Sequence, residues 1–217
     1  LLDRDHLDVD LVVTCCGLHA DRMARSSGLD TSLRILPFRG EYWTLKPPAD
    51  ALVRHLVYPV ADPNMPFLGV HFTRGIDGRV EAGPSAVPAL AREGYGWRDL
   101  SPRDVLEAGL DLRTWRLGRR WWKAGVREIH RSLSRRAAWK DMRRLLPDLR
   151  IEDLVRGRSG VRAQAVDPRG RLVDDFVIRS CGNMVHVLNA PSPAATASLA
   201  IGDHVSRHVI DRLHRRA

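Results

Sequence analysis

Apolar and polar positions alternate in three different rhythms along the chain. The run Val9-Asp10-Leu11-Val12-Val13-Thr14-Cys15-Cys16 is nearly continuous, the pattern of a strand buried on both faces. Gly17 breaks it, and a short helix is predicted over roughly 19–27 with Gly28 as its C-cap. Between 33 and 98 the apolar runs are short and strongly punctuated. Strands are predicted over 33–45, 52–60, 67–74 and 79–83, separated by Pro47-Pro48, Asp62-Pro63-Asn64 and Asp77-Gly78. The last dipeptide predicts a type I′ hairpin.

From 101 to 155 the rhythm becomes helical. Ser101-Pro102-Arg103-Asp104 supplies an N-cap, a proline at N1 and an acid in the first turn. Trp115, Leu117, Trp121, Trp122, Val126, Ile129 and Leu133 recur near the helical period, and Arg116, Arg119, Arg120, Lys123, Arg127 and Arg131 fill the other face. A further helix from about 136 is predicted to end at Pro147. Strands return over 161–166 and 172–178, flanking Asp167-Pro168-Arg169-Gly170, and again over 184–188. A small-residue stretch, Pro191 to Ala200, then opens a last helix running to about 213.

This order predicts an α+β fold: an antiparallel-sheet domain with a helical insert, and a separate sheet piece at each chain end. The predicted divisions are 1–32, 33–158 (sheet 33–98, basic helices 101–155) and 159–217. The N-terminal strand reads as a parallel-type strand with no crossover partner, and with no initiator Met the chain reads as a fragment. Apolar residues are 44% and charged residues 28% of 217, which excludes a disordered tail, a collagen or a coiled coil. No apolar run approaches the ~20 residues of a membrane span, and Asp3, Arg4, Asp5 and Asp8 interrupt any signal-peptide core. The 3 cysteines are an odd number, two of them adjacent, with no CxxC and no zinc spacing. No metal site is expected, and the expected compartment is reducing and cytoplasmic.

Charge sharpens the picture. The net charge is +9, and residues 98–150 hold 15 basic against 7 acidic residues, a net of +8. An Arg- and Trp-rich helical block suits nucleic acid, an anionic membrane surface or simple solvation. No RNP, zinc or helix-turn-helix signature accompanies it, so no specific nucleic acid is expected.

Several segments could carry chemistry. In Asn189-Ala190-Pro191-Ser192-Pro193-Ala194-Ala195-Thr196 a strand feeds a helix start almost without side chains. Free N–H groups there favour anionic oxygens, and small residues admit a flat ring; tight helix–sheet packing explains the same composition. Arg162, in Gly160-Val161-Arg162-Ala163-Gln164, sits on an apolar strand and needs a carboxylate, from a ligand or from Asp174 or Asp175. Arg39 beside Gly40 has the same ambiguity. His71 shares a strand face with Thr73, opposite Val70, Phe72 and Arg74, and reads as a satisfied core histidine or as a general base. No GxSxG, HExxH, P-loop or GxGxxG occurs.

Eight ordered blocks together resemble a known family. They are Cys16-Gly17-Leu18-His19-Ala20-Asp21-Arg22, Pro37-Phe38-Arg39-Gly40-Glu41-Tyr42, Tyr58-Pro59-Val60, Phe67-Leu68-Gly69-Val70-His71-Phe72-Thr73-Arg74, Ala82-Gly83-Pro84-Ser85-Ala86-Val87, Arg92-Glu93-Gly94-Tyr95, Gly160 to Gln164 and Asn189 to Thr196. They look like L-2-hydroxyglutarate oxidases or dehydrogenases, FAD-dependent enzymes of the D-amino-acid-oxidase type. That family begins with a strand-GxGxxG-helix unit for the FAD pyrophosphate, which this sequence lacks. The resemblance therefore implies a C-terminal part of such an enzyme, with 1–32 and 159–217 belonging to the FAD-binding-type domain. It implies FAD as cofactor, a small dicarboxylate hydroxy acid as substrate, and oxygen or quinone as electron acceptor. His71 would be the base, Arg162 the α-carboxylate clamp, and Arg39 or Arg74 the partner of the distal carboxylate. Gly17, Pro191, Ser192, Pro193, Ala194 and Thr196 would face the flavin. The basic helices would allow peripheral contact with the inner membrane. The competing class is a basic module that binds nucleic acid or anionic membrane.

Overall fold

The computed structural model describes residues 8–60, 69–191 and 194–214. They form a mixed α and β fold in two compact units, Leu1–Ile35 with Ala163–Ala217, and Leu36–Arg162. In chain order the elements are β1 (Val12–Thr14), α1 (Ala20–Ser26), β2 (Arg34–Leu45), β3 (His71–Arg74), β4 (Val80–Gly83), β5 (Val87–Pro88), α2 (Pro102–Leu110), α3 (Leu112–Leu133), α4 (Arg135–Met142), β6 (Leu154–Val166), β7 (Val177–Cys181), β8 (Met184–Asn189) and α5 (Ser198–His214).

In the discontinuous unit, β1, β8 and β7 make a three-stranded sheet in that order. The predicted orphan strand does have a partner: β1 pairs in parallel with β8, Val12 opposite Met184 and Thr14 opposite His186. That partner lies at the far end of the sequence, where the short run 184–188 gives no sign of parallel pairing. β1 is an edge strand of three residues, and Val13 is 41% exposed, so the expected burial on both faces is not found. Its register is fixed by a side chain. The fully buried His186 takes Thr14 Oγ1 at 2.8 Å on Nδ1 and Ser27 Oγ at 3.0 Å on Nε2. Ser27 donates its one proton to the Ala24 carbonyl, so Nε2–H donates to Ser27 and Thr14 donates to Nδ1. The imidazole is neutral, and burial pushes its pKa below the usual histidine value.

The continuous unit is built on a five-stranded sheet, β3-β4-β2-β5 with β6 also on β2. Alternation along β2 to β4 sends Trp43, Leu45, Phe72, Val80 and Ala82 to one face, where they pack with Ala138, Met142, Leu149 and Leu154. Phe72 is completely buried, which alone stabilises by about 1.5–3 kcal/mol. The helical insert follows the sequence reading. Ser101 Oγ accepts from Asp104 N–H at 3.3 Å, and Ser134 Oγ caps α4 by accepting from Ala137 N–H at 3.2 Å. α4 ends at Met142 rather than at Pro147.

Two local expectations change. Over 52–60 there is no strand: Ala49–Leu52 is a 3-10 turn and only Val57 pairs, with Phe72. Pro59 has no N–H to extend the ladder. The turn between β3 and β4 is not type I′, because Gly78 has φ +79° while Asp77 keeps a negative φ. Gly75 and Arg79 pair across it, and Asp77 Oδ1 accepts from Arg79 N–H, a longer loop with one left-handed glycine.

Arg39 is fully buried inside this unit. Its Nε donates to Glu41 Oε1 at 3.0 Å, Nη2 lies 2.9 Å from the same oxygen, and Nη1 donates to the Gly96 carbonyl at 2.9 Å. Its guanidinium stacks on Trp97 at 4.6 Å. Glu41 Oε2 accepts from Ser132 of α3, whose Oγ also accepts from Trp97 Nε1 at 3.0 Å. Arg39 therefore ties the insert to the sheet, with its guanidinium already engaged by Glu41 and the Gly96 carbonyl.

Two outcomes follow from these buried groups. Because His186 is neutral in the fold with a lowered pKa, only the unfolded chain takes up its proton as pH falls through about 6.5. Stability is thus complete above that pH and lost below it. Thermal midpoints measured from pH 8 to 5 should fall on the acid side, and His186→Asn should flatten that fall. Removing one partner of the buried Arg39–Glu41 pair by Arg39→Met should cost about 3–5 kcal/mol in denaturant unfolding. A ligand-holding Arg39 would instead leave the unfolding midpoint in place.

Candidate active site

The face of the five-stranded sheet turned away from the core carries the polar side chains. His71 lies opposite Gly83, and Thr73 opposite Glu81. Thr44 also lies opposite Glu81, so the next pair along brings Tyr42 to Gly83. Directly opposed residues share a face, so Tyr42, Gly83 and His71 form one row across β2, β4 and β3. Gly83 leaves the middle of that row without a side chain. A Cβ there would come within 2.8 Å of the Glu41 carbonyl and 3.0 Å of the Tyr42 ring.

Arg162, on β6, reaches the same face. Its guanidinium donates a hydrogen bond to the Tyr42 hydroxyl. Gly40, two residues before Tyr42 and so on its face of β2, makes the room: a Cβ at Gly40 would stand 3.4 Å from Arg162 Nη2. Burial pushes the Tyr42 phenol above its usual pKa, against the opposing Arg162 cation, while Glu81 and Tyr58 push it further up. His71 Nδ1 lies 3.2 Å from the Gly69 carbonyl. A carbonyl only accepts, so Nδ1 carries the proton and Nε2 holds the lone pair. Burial pulls the His71 pKa below its usual value, helped by Arg162 and opposed by the Gly69 carbonyl. The result is a neutral imidazole whose Nε2 lone pair has no hydrogen-bond partner among the described residues, near the Arg162 cation.

The structure thus brings His71 and Arg162 together and separates the other two arginines from them. Arg39 is bound to Glu41 as described. Arg74 points to the opposite face of β3, where Nη1 donates to the carbonyls of Asp50 and Val53 at 3.0 and 3.1 Å. Tyr42 and Tyr58 were not singled out as site residues by sequence. The signal for Tyr42 lies in Gly40-Glu41-Tyr42: a glycine two positions before a tyrosine on one strand face opens space beside an aromatic hydroxyl.

The small-residue candidates belong to the discontinuous unit. Gly17 follows the carboxyl end of β1 with φ +47°, and a Cβ there would meet nothing within 4 Å. Pro191, Ala194 and Thr196 follow the carboxyl end of β8, the strand parallel to β1. Ser192 and Pro193 lie outside the described residues. Among the described residues no group of His, Cys, Asp and Glu could hold a metal ion.

Comparison with known proteins places the chain as a whole. The sequence profile of the family described as "FAD dependent oxidoreductase" matches residues 3–208. The chain is 45% identical to an L-2-hydroxyglutarate dehydrogenase of Indibacter alkaliphilus, covering 94% of this chain and 51% of that protein. It is 45% identical to a mitochondrial L-2-hydroxyglutarate dehydrogenase of Caenorhabditis elegans (93% and 48%) and 43% identical to an L-2-hydroxyglutarate dehydrogenase of Escherichia coli (91% and 47%). A solved FAD dependent oxidoreductase from Pseudomonas aeruginosa aligns with TM-score 0.43 at 13% identity, over 84% of this chain and 41% of its own. The chain spans about half the length of the curated relatives it matches. With nearly its whole length matching the family profile, the chain belongs to the FAD-dependent oxidoreductases of the D-amino-acid-oxidase type.

Proposed function

We propose that this chain forms the substrate-handling half of an enzyme that oxidises an L-2-hydroxy acid, foremost L-2-hydroxyglutarate, to the 2-oxo acid. The observation that carries the reading is the shared sheet face of Arg162, Tyr42 and His71. Arg162 takes the α-carboxylate in a charge-assisted, two-pronged contact, and the Tyr42 hydroxyl holds its guanidinium in place. His71 Nε2 accepts the proton of the 2-hydroxyl, while Nδ1–H stays on Gly69. A base must be neutral to act, and the lowered pKa keeps it neutral at physiological pH.

The family cofactor fits the residues present. Two parallel strands end on one edge of their sheet, a place where α/β folds take flat ligands, and small residues follow each end. Gly17, Pro191, Ala194 and Thr196 would hold the flavin, making these sheet pieces part of a FAD-binding-type domain. FAD, when bound, supplies the two-electron oxidant that accepts hydride from the substrate carbon. No GxGxxG occurs in these 217 residues to hold the pyrophosphate.

A second reading concerns the partner surface, and the exposed face of α3 favours it. Trp115, Trp122, Val126, Ile129 and Leu133, spaced 7, 4, 3 and 4 apart, are all at least 36% exposed, and Leu106 and Leu110 of α2 are exposed as well. Arg116, Arg119, Lys123 and Arg127 interleave with this stripe and are exposed too. An apolar stripe with a basic flank suits an anionic membrane surface, where a quinone acceptor would be met; oxygen needs no such contact. No helix among the described residues is long and apolar enough to cross a membrane.

The site is tested in the full-length enzyme that carries this chain. Arg162→Lys keeps the charge but loses the fork, and should lower kcat/KM by about 30- to 4000-fold, equivalent to ~2–5 kcal/mol, with the melting temperature kept. His71→Asn should lower kcat by about 10²- to 10⁴-fold. Unchanged kinetics with lowered stability would retire the clamp. For the surface, the enzyme should sediment with vesicles containing phosphatidylserine and not with pure phosphatidylcholine. Salt or the pair Trp115→Ser and Trp122→Ser should release it. Equal binding to both vesicle types, or to neither, would retire the membrane reading.

A further inference from the structure

One aromatic ring beside His71 is not accounted for by the fold. Tyr58 stacks on the imidazole with ring centroids 4.3 Å apart and planes 14° from parallel. Yet Tyr58 is 47% exposed, so it adds little to the core.

The backbone delivers this ring deliberately to His71. Val57 and Phe72 exchange two hydrogen bonds, Val57 N–H to the Phe72 carbonyl at 3.0 Å and Phe72 N–H to the Val57 carbonyl at 2.8 Å. In an antiparallel pair the flanking residues then face each other, and 58 meets 71. Pro59 follows, and its Cγ lies 3.3 Å from where a Gly69 Cβ would stand. Gly69 is the residue whose carbonyl accepts the hydrogen bond from His71 Nδ1–H. One three-residue segment thus seats both the stacked ring and the hydrogen-bond partner of the imidazole.

His71 needs that support. It is the first residue of β3, and its polar contact among the described residues is the Nδ1–H bond to the Gly69 carbonyl. One hydrogen bond lets a ring rock about it; a flat ring in van der Waals contact does not. Among the described residues, the charged and titratable groups sharing its face are Arg162 from β6, Tyr42 from β2, Glu81 from β4 and Tyr58 itself. Of these only Tyr58 covers the imidazole plane.

We propose that Tyr58 is a positioning residue, whose ring fixes the His71 imidazole with Nε2 directed outward and shields it from water. The proposal rests on the reading of His71 as the proton acceptor. It gives the Tyr58-Pro59-Val60 block a chemical task. Shielding also agrees with the direction of the His71 pKa, which is lowered chiefly by burial.

The test uses the full-length enzyme with Tyr58→Phe, which keeps the flat ring, and Tyr58→Ala, which removes it. Tyr58→Leu replaces the alanine variant if its far-ultraviolet circular dichroism departs from the parent's. Histidine titration by NMR, with His71→Asn assigning the signal, reads the imidazole directly. In Tyr58→Ala the His71 titration should move up toward 6.5, and the acid limb of kcat/KM should move with it. Its kcat should fall by about 10- to 100-fold, the scale of a small misplacement, with KM within about twofold. Tyr58→Phe should match the parent in every readout. An unmoved titration, an unmoved kcat, or a phenylalanine variant as impaired as alanine overturns the proposal. If His71→Asn keeps its kcat, the base reading fails by itself, and the titration still decides whether Tyr58 shields the ring.

Discussion

A pleated strand sends successive side chains to opposite faces, and β2, β3 and β4 use that constraint to divide an apolar core face from a polar one. On one face Trp43, Leu45, Phe72, Val80 and Ala82 exclude water. On the other, Tyr42, His71 and Glu81 remain half-buried. A one-residue slip in any of these strands would exchange the two sets, placing an imidazole in the core and a phenylalanine in solvent. The buried apolar face therefore enforces the register, and the register sets the spacing of the polar groups. The glycines refine it. Gly83 keeps the centre of the Tyr42–His71 row empty, and Gly40 leaves room for the Arg162 guanidinium.

The helical insert is attached by charge rather than by apolar packing alone. Ser132 and Glu128 lie on the inner side of α3. Ser132 binds Glu41, and Glu128 Oε2 accepts from Ala86 N–H at 2.8 Å while pairing with Arg131. Arg156 donates to the Ser132 carbonyl and stacks on Trp43 at 5.0 Å. Buried polar groups at such a junction must all be partnered or the junction loses stability, so this network specifies one docking geometry for the C-terminal half of α3. Upstream, Trp121 departs from helical geometry at φ −117° and ψ 18°, and the helix bends there. The tryptophans of the exposed stripe, Trp115 and Trp122, flank that bend.

Much of this was legible in the sequence because it follows from local rules. The helix start at Ser101, the long strand through Arg39 and Tyr42, and the amphipathic period of α3 are all set by near neighbours. What was not legible has a different cause. β1 seemed unpaired because its partner β8 lies beyond the whole second unit. Arg39, Arg74 and Arg162 looked alike, each an arginine on or beside a strand. What separates them is a carboxylate two residues away, two carbonyls of a distant turn, and a tyrosine hydroxyl on another strand. Those partners are tertiary, and no spacing rule encodes them. Tyr58 was hidden for a related reason, since its run shows strand-like alternation but pairs at Val57 alone.

The pairing of β1 with β8 raises the question of how a chain can close a sheet across so long an interruption. Thr14 and His186 are hydrogen-bonded at a separation of 172 residues. Loop-closure entropy grows only logarithmically, about 0.6 kcal/mol for each doubling of length, so the length itself is a weak obstacle. An inserted unit that folds on its own core shortens the effective loop further. What the closure does require is a contact strong enough to choose one register on a short edge strand. Three-residue β1 offers few backbone bonds, and the buried His186 supplies the rest through Thr14 on one side and Ser27 of the α1 end on the other. That clamp sits just before Gly17 on β1 and just before Asn189 on β8. The turns that follow both strands are therefore placed by the same imidazole, which links the stability of the discontinuous unit to the geometry of its small-residue edge.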